Sequence, residues 1–390
     1  MRRILLIAAV VVLGLGGVVA VAIAASGAAS TIGGAPAPMR QAATLTYTPA
    51  TGAINTDPTQ PARVSVTDGT LETVTLTGPK GPIAGALTAD KKAWASTDKL
   101  TYGATFTWGG TAKAVDGTEV PLTGTFATKP PSKQIRGTLN IGDGRTVGVA
   151  APIRIQFNGH VADRAAVEKE LSVQTSVPVE GAWGWLPDEG GGSRVDWRPR
   201  VYWPAHTQVT VTAKLGGVPY GGDTVGAADF SSTFTIGDAQ VVKADVNSFR
   251  MVVLRSGKEI LDVPASYGLG SDPERNTRSG VHVVSEKFTD KRMVSQRYGY
   301  DTVEKWAVRI SNNGEFIHAN PASTAAQGSA NVTHGCVNLS IDSAKAFYDI
   351  AQYGDPVEVT GTPVPLAARD GDIWDWTLSW DQWKKLSALS

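Results

Sequence analysis

The stretch NVTHGCVNLS, residues 331–340, contains the only cysteine of a 390-residue chain. Successive side chains of an extended strand point to opposite faces, so Val337 and Leu339 would share an apolar face. The opposite face would carry His334, Cys336 and Asn338. A lone cysteine is often a small buried hydrophobe, but its place on the polar face, near a histidine, favours a reactive thiol.

The N-terminus carries a long uncharged apolar run behind two arginines. The run covers residues 4–25, and its 22 residues are enough to cross a bilayer core as a helix. We predict a membrane anchor or signal segment at 1–26, with Ala22-Ile23-Ala24 as a cleavage-site pattern, and a flexible Gly/Pro-rich linker at 27–41. The rest of the chain is then extracytoplasmic, either anchored to the cell membrane or secreted.

An extracytoplasmic location makes the single cysteine unusual. Extracytoplasmic proteins use cysteines mainly in disulfide pairs, so an unpaired cysteine indicates a reactive thiol or an intermolecular bridge. Lys+Arg and Asp+Glu both total 36, so no overall positive field and no basic run favours nucleic-acid binding. Metal-site spacing and cofactor fingerprints are also missing from the sequence, so we predict no metal and no cofactor.

Short runs rich in Thr and Val, interrupted by turn residues, fill the first part of the chain. Examples are ARVSVTDG (62–69) and TQVTVTAKLGG (207–217). Period-2 alternation with turns at about eight- to twelve-residue spacing is typical of a β-sandwich. The predicted fold class is therefore mainly β, with two tandem immunoglobulin-like β-sandwiches at 42–131 and 132–237.

A β-rich catalytic domain with one short helix is predicted at 238–362. The helix follows the cysteine in DSAKAFYDIAQYG (342–354), where apolar residues recur at helical spacing. Asp342 is the expected cap at its start and Gly354 the expected end. The tail at 363–390 contains four tryptophans and is predicted to pack on the catalytic domain.

Two histidines are candidates for activating the thiol, whose usual pKa of about 8.5 requires a base or a positive neighbour. His318 ends a predicted strand in GEFIHAN (314–320), eighteen residues before the cysteine. Spacing alone favours it only slightly over His334. A Cys/His pair outside the cell points to acyl transfer or hydrolysis through a thioester.

His318 followed by THGCVN (333–338) resembles the signature of the L,D-transpeptidases: a histidine, a long loop and then [S/T]-H-G-C-x-N. The resemblance extends from about residue 239 to the C-terminus. The tandem immunoglobulin-like domains are similar to those of actinobacterial, mycobacterial-type members, whose catalytic domain is of the YkuD type. The resemblance implies that Cys336 is the nucleophile, His318 the general base and His334 a histidine that orients the site.

The resemblance also implies roles for backbone and substrate-binding positions. Gly335 and Ala319 would supply backbone groups to the site, with amides around the cysteine holding the oxyanion. Tyr300 matches a tyrosine of the lid over the substrate pocket. The remaining implied substrate contacts are Thr333, Asn313, Gly314 and Asn338.

Two positions depart from the family pattern. Relatives often have serine at the position of Ala319, and alanine is harmless there if a backbone carbonyl orients the imidazole but lowers activity if a hydroxyl is needed. Relatives also carry a tryptophan in the following loop, where this chain has Ala322. One wall of the pocket is therefore predicted to be smaller.

The implied activity is the 3→3 cross-linking of peptidoglycan in the cell wall. The donor would be a tetrapeptide stem, the acceptor the side-chain amine of a diamino acid, and carbapenem β-lactams would be inhibitors. Two alternatives stay open: an L,D-carboxypeptidase, in which water resolves the thioester, and a non-catalytic cell-surface scaffold. The retention of the cysteine and both histidines argues against the scaffold.

Overall fold

Strands dominate the computed structural model, which describes residues 42–370 and 372–390 and confirms the predicted mainly β fold class. The predicted anchor at 1–26 and linker at 27–41 lie outside the described residues. Within the described ranges, none of the helices combines the length and the apolar character needed to cross a membrane.

The first sandwich consists of two sheets. One has the order β1-β2-β6-β5, and the other has the order β4-β3-β7-β8 with β9 paired to β7. The strands are β1 (Thr44–Thr48), β2 (Arg63–Thr67), β3 (Gly69–Gly78), β4 (Gly81–Pro82), β5 (Gly85–Leu87), β6 (Ala93–Ser96), β7 (Thr105–Ala114), β8 (Glu119–Pro121) and β9 (Thr125–Ala127). The apolar faces enclose Trp94, Trp108 and Phe106.

The second sandwich is built on the sheets β11-β13-β16-β15 and β12-β20-β17-β14, with a small sheet β10-β19-β18. Its elements are β10 (Lys133–Ile135), β11 (Gly137–Leu139), β12 (Thr146–Val147), β13 (Ile153–Phe157), α1 (Arg164–Glu168), β14 (Leu171–Thr175), β15 (Gly181–Glu189), β16 (Gly192–Pro199), β17 (Gln208–Ala213), β18 (Pro219–Gly221), β19 (Thr224–Gly226) and β20 (Phe230–Ile236). Alternating side chains of both main sheets form its core.

The third unit contains the sheets β23-β22-β21-β29-β24 and β25-β26-β27-β28. Its elements are β21 (Gln240–Asp245), β22 (Arg250–Arg255), β23 (Lys258–Pro264), β24 (Gly280–Val283), β25 (Glu286–Ser295), β26 (Tyr300–Arg309), β27 (Phe316–Ala319), β28 (Val337–Leu339), α2 (Ile341–Ile350) and β29 (Pro356–Thr360). Short 3-10 turns lie at Pro273–Arg275, Pro321–Ser323, Ala368–Asp370 and Asp375–Thr377, and α3 (Trp380–Lys384) lies near the C-terminus.

Helix α2 buries the predicted apolar face but begins and ends at other residues than predicted. Ala344 and Phe347 are buried against the sheet. The N-cap is Ser340, whose hydroxyl accepts from the Ser343 amide, so Asp342 lies inside the first turn. Strand β28 ends at Leu339, so Ser340, the next residue, still has extended backbone and can act as the N-cap. The helix therefore begins earlier than an Asp342 cap would allow. Similarly, the helix ends at Ala351, before Gly354.

Three of the four tail tryptophans pack on the second sandwich, so the prediction that the tail packs on the catalytic domain is wrong for these indoles, although residues 364–370 do contact that domain. Trp383 is fully buried. Its ring lies against Gly184, where a Cβ would come within 2.9 Å of the indole. Its Nε1–H donates to the Ala182 carbonyl at 2.9 Å. The edge strand β15 thus supplies both a slot for the ring and a partner for its one polar group.

Arg198 of β16 completes this contact with the tail. Its guanidinium lies 4.7, 5.5 and 5.1 Å from the ring centroids of Trp376, Trp380 and Trp383. The first part of the tail contacts the catalytic domain: the Leu366 amide donates to the Ser279 carbonyl, Asp370 pairs with Arg278, and Ile373 packs with Val283. The tail therefore joins the second sandwich to the third unit.

Candidate active site

Strands β27 and β28 place the two reactive side chains next to each other. The strands pair in parallel, with His318 opposite Asn338. Val337 and Leu339 are fully buried, as the alternation predicts. Cys336 directly precedes β28 and is half-buried. The sulfur therefore faces away from the core, next to the end of the strand that carries the histidine.

The turn before the cysteine is fixed by hydrogen bonds on both sides. Gly335 has a φ of +118°, a conformation that residues with a side chain rarely adopt. The Thr333 hydroxyl donates to the Cys336 carbonyl at 2.7 Å and accepts from the Gly335 amide at 3.2 Å. The Thr277 hydroxyl donates to the Gly335 carbonyl at 2.9 Å. The position of the thiol is thus set by the backbone around it.

Cys336 opens into a cavity of about 350 Å³. Its Sγ lies 3.5 Å from the Gly314 carbonyl oxygen. The cavity is lined by Met293, Tyr300, Thr302, Glu304, His318, Asn320, Ala322, Ser323, Val332, Thr333, His334, Cys336 and Asn338. A concave site of this size, with a few convergent polar groups, is typical of a small-molecule or peptide-binding pocket.

The imidazole of His318 is held at one of its two nitrogens. The residue is 4% exposed, and Nδ1 donates to the Ala319 carbonyl at 2.9 Å. Nδ1 also lies 3.5 Å from a carboxylate oxygen of Glu304. Because the contact at residue 319 uses the backbone carbonyl, alanine at this position retains it. The second nitrogen, Nε2, is left for the Cys336 thiol.

The surroundings of His318 favour its protonated form. Burial disfavours the imidazolium, but hydrogen bonds to Cys336 and Glu304, the charge of Cys336 and the Ala319 carbonyl together raise the pKa of His318 to about 10. The hydrogen bond with His318 in turn lowers the pKa of Glu304. His318 can therefore hold the proton that a thiol gives up when it reacts as a nucleophile.

The β25–β26 hairpin lines the cavity with Tyr300 and places a second tyrosine, Tyr298, against His334. The ring centroid of His334 lies 4.4 Å from that of Tyr298 and 5.4 Å from that of Tyr300. Burial and the charge of Cys336 raise the pKa of Tyr300. Burial and the charge of Arg275 lower the pKa of His334. His334 is thus neutral near pH 7 and packs as an aromatic ring.

The structure brings most of the predicted site residues together. Those that line the cavity are Tyr300, His318, Thr333, His334, Cys336 and Asn338. Gly335, Ala319 and Gly314 contribute backbone groups next to them. Asn313 differs, because its side-chain oxygen accepts from the Ser311 hydroxyl and the Glu315 amide. It stabilises the turn between β26 and β27 and does not line the cavity.

Sequence reasoning misses several cavity residues, and Glu304 is the most important of them. Alternation along β26 could have found it, because Tyr300, Thr302 and Glu304 occupy every second position and all line the cavity. The others reach the cavity from loops or from the neighbouring strand: Met293, Asn320, Ser323 and Val332. Ala322 also lines the cavity, where the departure from the family pattern predicts a smaller wall.

Two families of protein domains match the chain. The model of the bacterial Ig domain matches residues 53–219, which include strands of both sandwiches. The model of the L,D-transpeptidase catalytic domain matches residues 239–359, which include Cys336, His318 and the whole turn between them.

Curated relatives match over most of the chain. L,D-transpeptidase 5 of Mycobacterium tuberculosis is 50% identical over 347 residues, which cover 88% of this chain and 77% of the relative. L,D-transpeptidase 2 of the same species is 35% identical over 349 residues, which cover 87% of this chain and 84% of the relative. A solved structure of an L,D-transpeptidase in complex with imipenem is 31% identical in sequence. The match covers 59% of this chain and 100% of the solved chain, and the two superimpose with a TM-score of 0.49.

Proposed function

Because this chain belongs to the L,D-transpeptidases, acyltransferases that cross-link peptidoglycan through a cysteine thioester, we propose that the reaction takes place in the cavity under the β25–β26 hairpin. The observation that supports this place is the pairing of a half-buried thiol with a buried imidazole. His318 and Cys336 line the same cavity, and their interaction helps raise the pKa of the imidazole, so the ring can act as the base for the thiol, and the cavity gives a peptide access to the sulfur.

In the first half-reaction, Cys336 is the nucleophile and His318 the base. Nε2 of His318 takes the proton from Sγ, and the sulfur attacks the carbonyl carbon of the third, diamino-acid residue of a tetrapeptide stem. The C–N bond to the terminal D-alanine breaks. The imidazolium gives its proton to the departing amine, and the thioester remains on the enzyme.

In the second half-reaction, an acceptor amine resolves the thioester. The side-chain amine of a neighbouring stem attacks the thioester carbonyl, His318 takes the amine proton, and this proton returns to the sulfur as the C–S bond breaks. The product is a 3→3 cross-link. Attack by water would instead release a tripeptide, and Tyr300, which lines the cavity and packs against His334, favours transfer because it limits the access of water.

The turn before the nucleophile holds the oxyanion. The Gly335 amide is already donated to the Thr333 hydroxyl, so Gly335 contributes mainly the positive φ that shapes the turn. We assign the oxyanion contact to the amide of Cys336, the residue that forms the thioester. Donors fixed in this way before the reaction stabilise the tetrahedral intermediate without reorganisation.

Other cavity residues bind the peptide stem. Asn338 lines the cavity, and its amide donates to the Ser323 hydroxyl at 3.3 Å. Its Oδ1 is buried and has no partner among the described residues. The Tyr300 ring and the Gly314 carbonyl border the thiol and contact the stem next to the scissile bond. Asn313 supports this contact indirectly through the turn that carries Gly314.

The protein acts outside the cell membrane, in the cell wall. This part of the proposal is supported by the apolar run at residues 4–25 with its two preceding arginines and by a substrate that lies outside the membrane. The run would anchor the chain or direct its secretion, and the two sandwiches would then carry the catalytic domain toward the peptidoglycan layer.

Carbapenems are expected to acylate the same thiol, because a strained β-lactam carbonyl presents the electrophile that Cys336 is placed to attack. Incubation of residues 42–390 with imipenem should give a covalent adduct in the intact mass. Cys336→Ala should give none, and His318→Ala should acylate at least about 10²-fold more slowly, since general-base catalysis contributes at least this much.

His160→Gln serves as the matched control, because His160 is exposed and lies in the second sandwich, paired with Asp188. It should acylate at the wild-type rate. An adduct on Cys336→Ala would place the nucleophile elsewhere. Purified disaccharide-tetrapeptide should give cross-linked dimer by mass spectrometry, whereas tripeptide alone would show that the enzyme is a carboxypeptidase.

A further inference from the structure

Glu304 reaches the active-site cavity from the middle of β26. It lies two residues beyond Thr302 and four beyond Tyr300, and all three side chains line the cavity. Its side chain is 16% exposed. The titratable side chains that line this cavity are Tyr300, Glu304, His318, His334 and Cys336. Within the described residues, Glu304 is the only carboxylate among them.

The Glu304 carboxylate faces the nitrogen of His318 that does not face the thiol. Oε2 lies 3.5 Å from Nδ1, which also donates to the Ala319 carbonyl at 2.9 Å. Among the described residues, no lysine or arginine nitrogen lies within 4.0 Å of this carboxylate. Lys305, the next residue, points away and pairs with Asp290. The imidazole is thus the cationic partner available to Glu304.

We propose that Glu304 is a positioning residue that stabilises the imidazolium of His318 and so completes a Cys336–His318–Glu304 arrangement. The proposal rests on the roles assigned above to Cys336 and His318. The Ala319 carbonyl orients the ring, and the carboxylate adds the negative charge that a carbonyl lacks. The two acceptors therefore act together on Nδ1.

The proton balance of this arrangement is simple. The proton of the thiol moves from Sγ to Nε2 of His318, and Nδ1–H stays donated to the Ala319 carbonyl. The Glu304 carboxylate, 3.5 Å from Nδ1, remains ionised throughout. The resulting thiolate and carboxylate lie on opposite sides of the imidazolium. The lowered pKa of Glu304 and the raised pKa of His318 agree with this charge distribution. When the imidazolium protonates the leaving amine, the neutral ring returns.

Glu304→Gln tests the proposal, because glutamine keeps the shape and removes the charge. Without the carboxylate the imidazolium is less stable, so its proton is lost at lower pH. The rate of imipenem acylation is measured from about pH 5 to 10. At the alkaline end of this range the rate falls as the imidazolium loses its proton, and this fall is the alkaline limb of the profile. In Glu304→Gln the alkaline limb should lie about one pH unit lower than in the wild type. This corresponds to about a tenfold slower reaction on that limb. Glu304→Asp should recover part of the shift.

Asp301→Asn is the matched control. Asp301 lies on the same strand but on the opposite face, is exposed and pairs with Arg292. Its replacement removes one negative charge from the hairpin and should leave the alkaline limb unchanged. If the Asn variant shifts the limb as much as Glu304→Gln, a general charge effect explains the result and the proposal is wrong.

A second measurement does not depend on the glutamine variant. Titration of the His318 ring by ¹⁵N NMR in the wild type and in Glu304→Asp should show a lower pKa in the aspartate variant, whose shorter side chain lies farther from Nδ1. Equal pKa values would contradict the proposal. A Glu304→Gln variant with an unchanged acylation profile and only a raised KM for the acceptor stem would also contradict the proposal. The carboxylate would then bind the substrate amine. A wild-type protein that imipenem does not acylate at Cys336 would instead overturn the proposed function.

Discussion

At the scale of single residues, Thr333 determines the backbone on both sides of the nucleophile. Its hydroxyl donates to the Cys336 carbonyl and accepts from the Gly335 amide, and the residue is 5% exposed. One side chain thereby satisfies two backbone groups of a turn that contains a residue with positive φ. The threonine of the motif thus has a structural function in addition to its predicted contact with substrate.

Thr333→Val should therefore lower both stability and activity. Valine has the same shape but leaves a buried amide and a carbonyl without partners, which costs about 1–3 kcal/mol in the free energy of unfolding. The displaced turn should also slow imipenem acylation by about tenfold. Thermal unfolding and stopped-flow acylation measure the two effects.

Thr324→Val provides the comparison, because the Thr324 hydroxyl makes an exposed bond to the Pro321 carbonyl in the neighbouring loop. Both measured quantities should stay close to the wild type in this variant. If Thr333→Val also behaves like the wild type, the turn does not depend on the hydroxyl.

The reactive residues could be predicted from the sequence, and alternation along β26 could place Glu304 on the cavity side, but the contact of Glu304 with His318 could not be predicted. Cys336 and His318 lie in a motif with fixed spacing, and alternation places the thiol on the polar face of its strand. The role of Glu304 depends on the pairing of β26 with β27, which brings two strands together at a register that local sequence does not specify. The resemblance implies that Asn313 contacts the substrate, but its side chain bonds to its own turn.

At the scale of elements, helix α2 begins directly after the strand that carries Asn338. Ser340 joins the two, with extended backbone, and its hydroxyl accepts from the Ser343 amide at 3.2 Å. The cap therefore controls the geometry of the chain just beyond the active site. The sequence predicts Asp342 as the cap because aspartate caps helices well, but serine does so equally, and the structure begins the helix after Ser340.

Ser340→Ala should destabilise the protein by about 0.5–2 kcal/mol, because the Ser343 amide loses its acceptor. Asp342→Asn should cost less, about 0.3–1 kcal/mol, since an exposed acidic residue in the first turn interacts only with the helix dipole. Thermal unfolding of both variants measures the difference. A larger loss in Asp342→Asn would show that the aspartate is the cap.

The hairpin β25–β26 contains a residue with positive φ, Trp306, that the sequence does not predict. Trp306 has a φ of +54°, unusual for a bulky side chain, and its ring lies 5.3 Å from that of Tyr348 on α2. The pairing partners Phe288–Ala307 and Asp290–Lys305 flank this residue. Packing against the helix outweighs the local backbone preference here, so no propensity argument could have predicted it.

At the scale of the whole molecule, the tail carries a buried carboxylate into the second sandwich. Asp375 is 0% exposed and lies 3.9 Å from an Arg194 nitrogen, while Asp196, also 0% exposed, takes the closer bond to the same guanidinium. Within the described residues, neither oxygen of Asp375 has a hydrogen-bond partner. Burial and the charge of Asp196 raise the pKa of Asp375 to about 7.

The contribution of Asp375 to the stability of the protein should therefore decrease as the pH rises toward neutrality. The folded-state pKa lies above the usual 3.8, so the folded protein holds a proton that the unfolded chain loses. The stabilisation is complete below about pH 4 and is lost as the pH rises through about 7. Asp375→Asn cannot ionise, so its Tm should fall less than that of the wild type between pH 5 and 8, by at least about 2 °C.

Asp381→Asn is the control for this experiment, because Asp381 is exposed in the same tail and pairs with Lys384. Its Tm should follow the wild type across the pH range. If Asp375→Asn follows it as well, the burial of Asp375 has no energetic effect on folding.

The mainly β class and the sandwich-type strands could be predicted from alternation and turn residues, but the position of the tail could not. Four tryptophans predict burial without specifying the surface that receives them. That surface depends on a glycine slot at Gly184 and on Arg198, and neither differs in sequence from an ordinary strand residue. Long-range packing of this kind becomes visible only when the sheets are assembled.

The packing of the tail on β15 and β16 has a practical consequence for work with shortened proteins. A fragment that starts at residue 238 would carry Trp376, Trp380 and Trp383 without the surface that shields them, and such adhesive indoles promote self-association during purification. Ending the fragment at 362 would remove the Asp370 carbonyl that receives the Asn312 and Asn313 amides. Inhibitor screening is therefore best served by a fragment that spans 132–390.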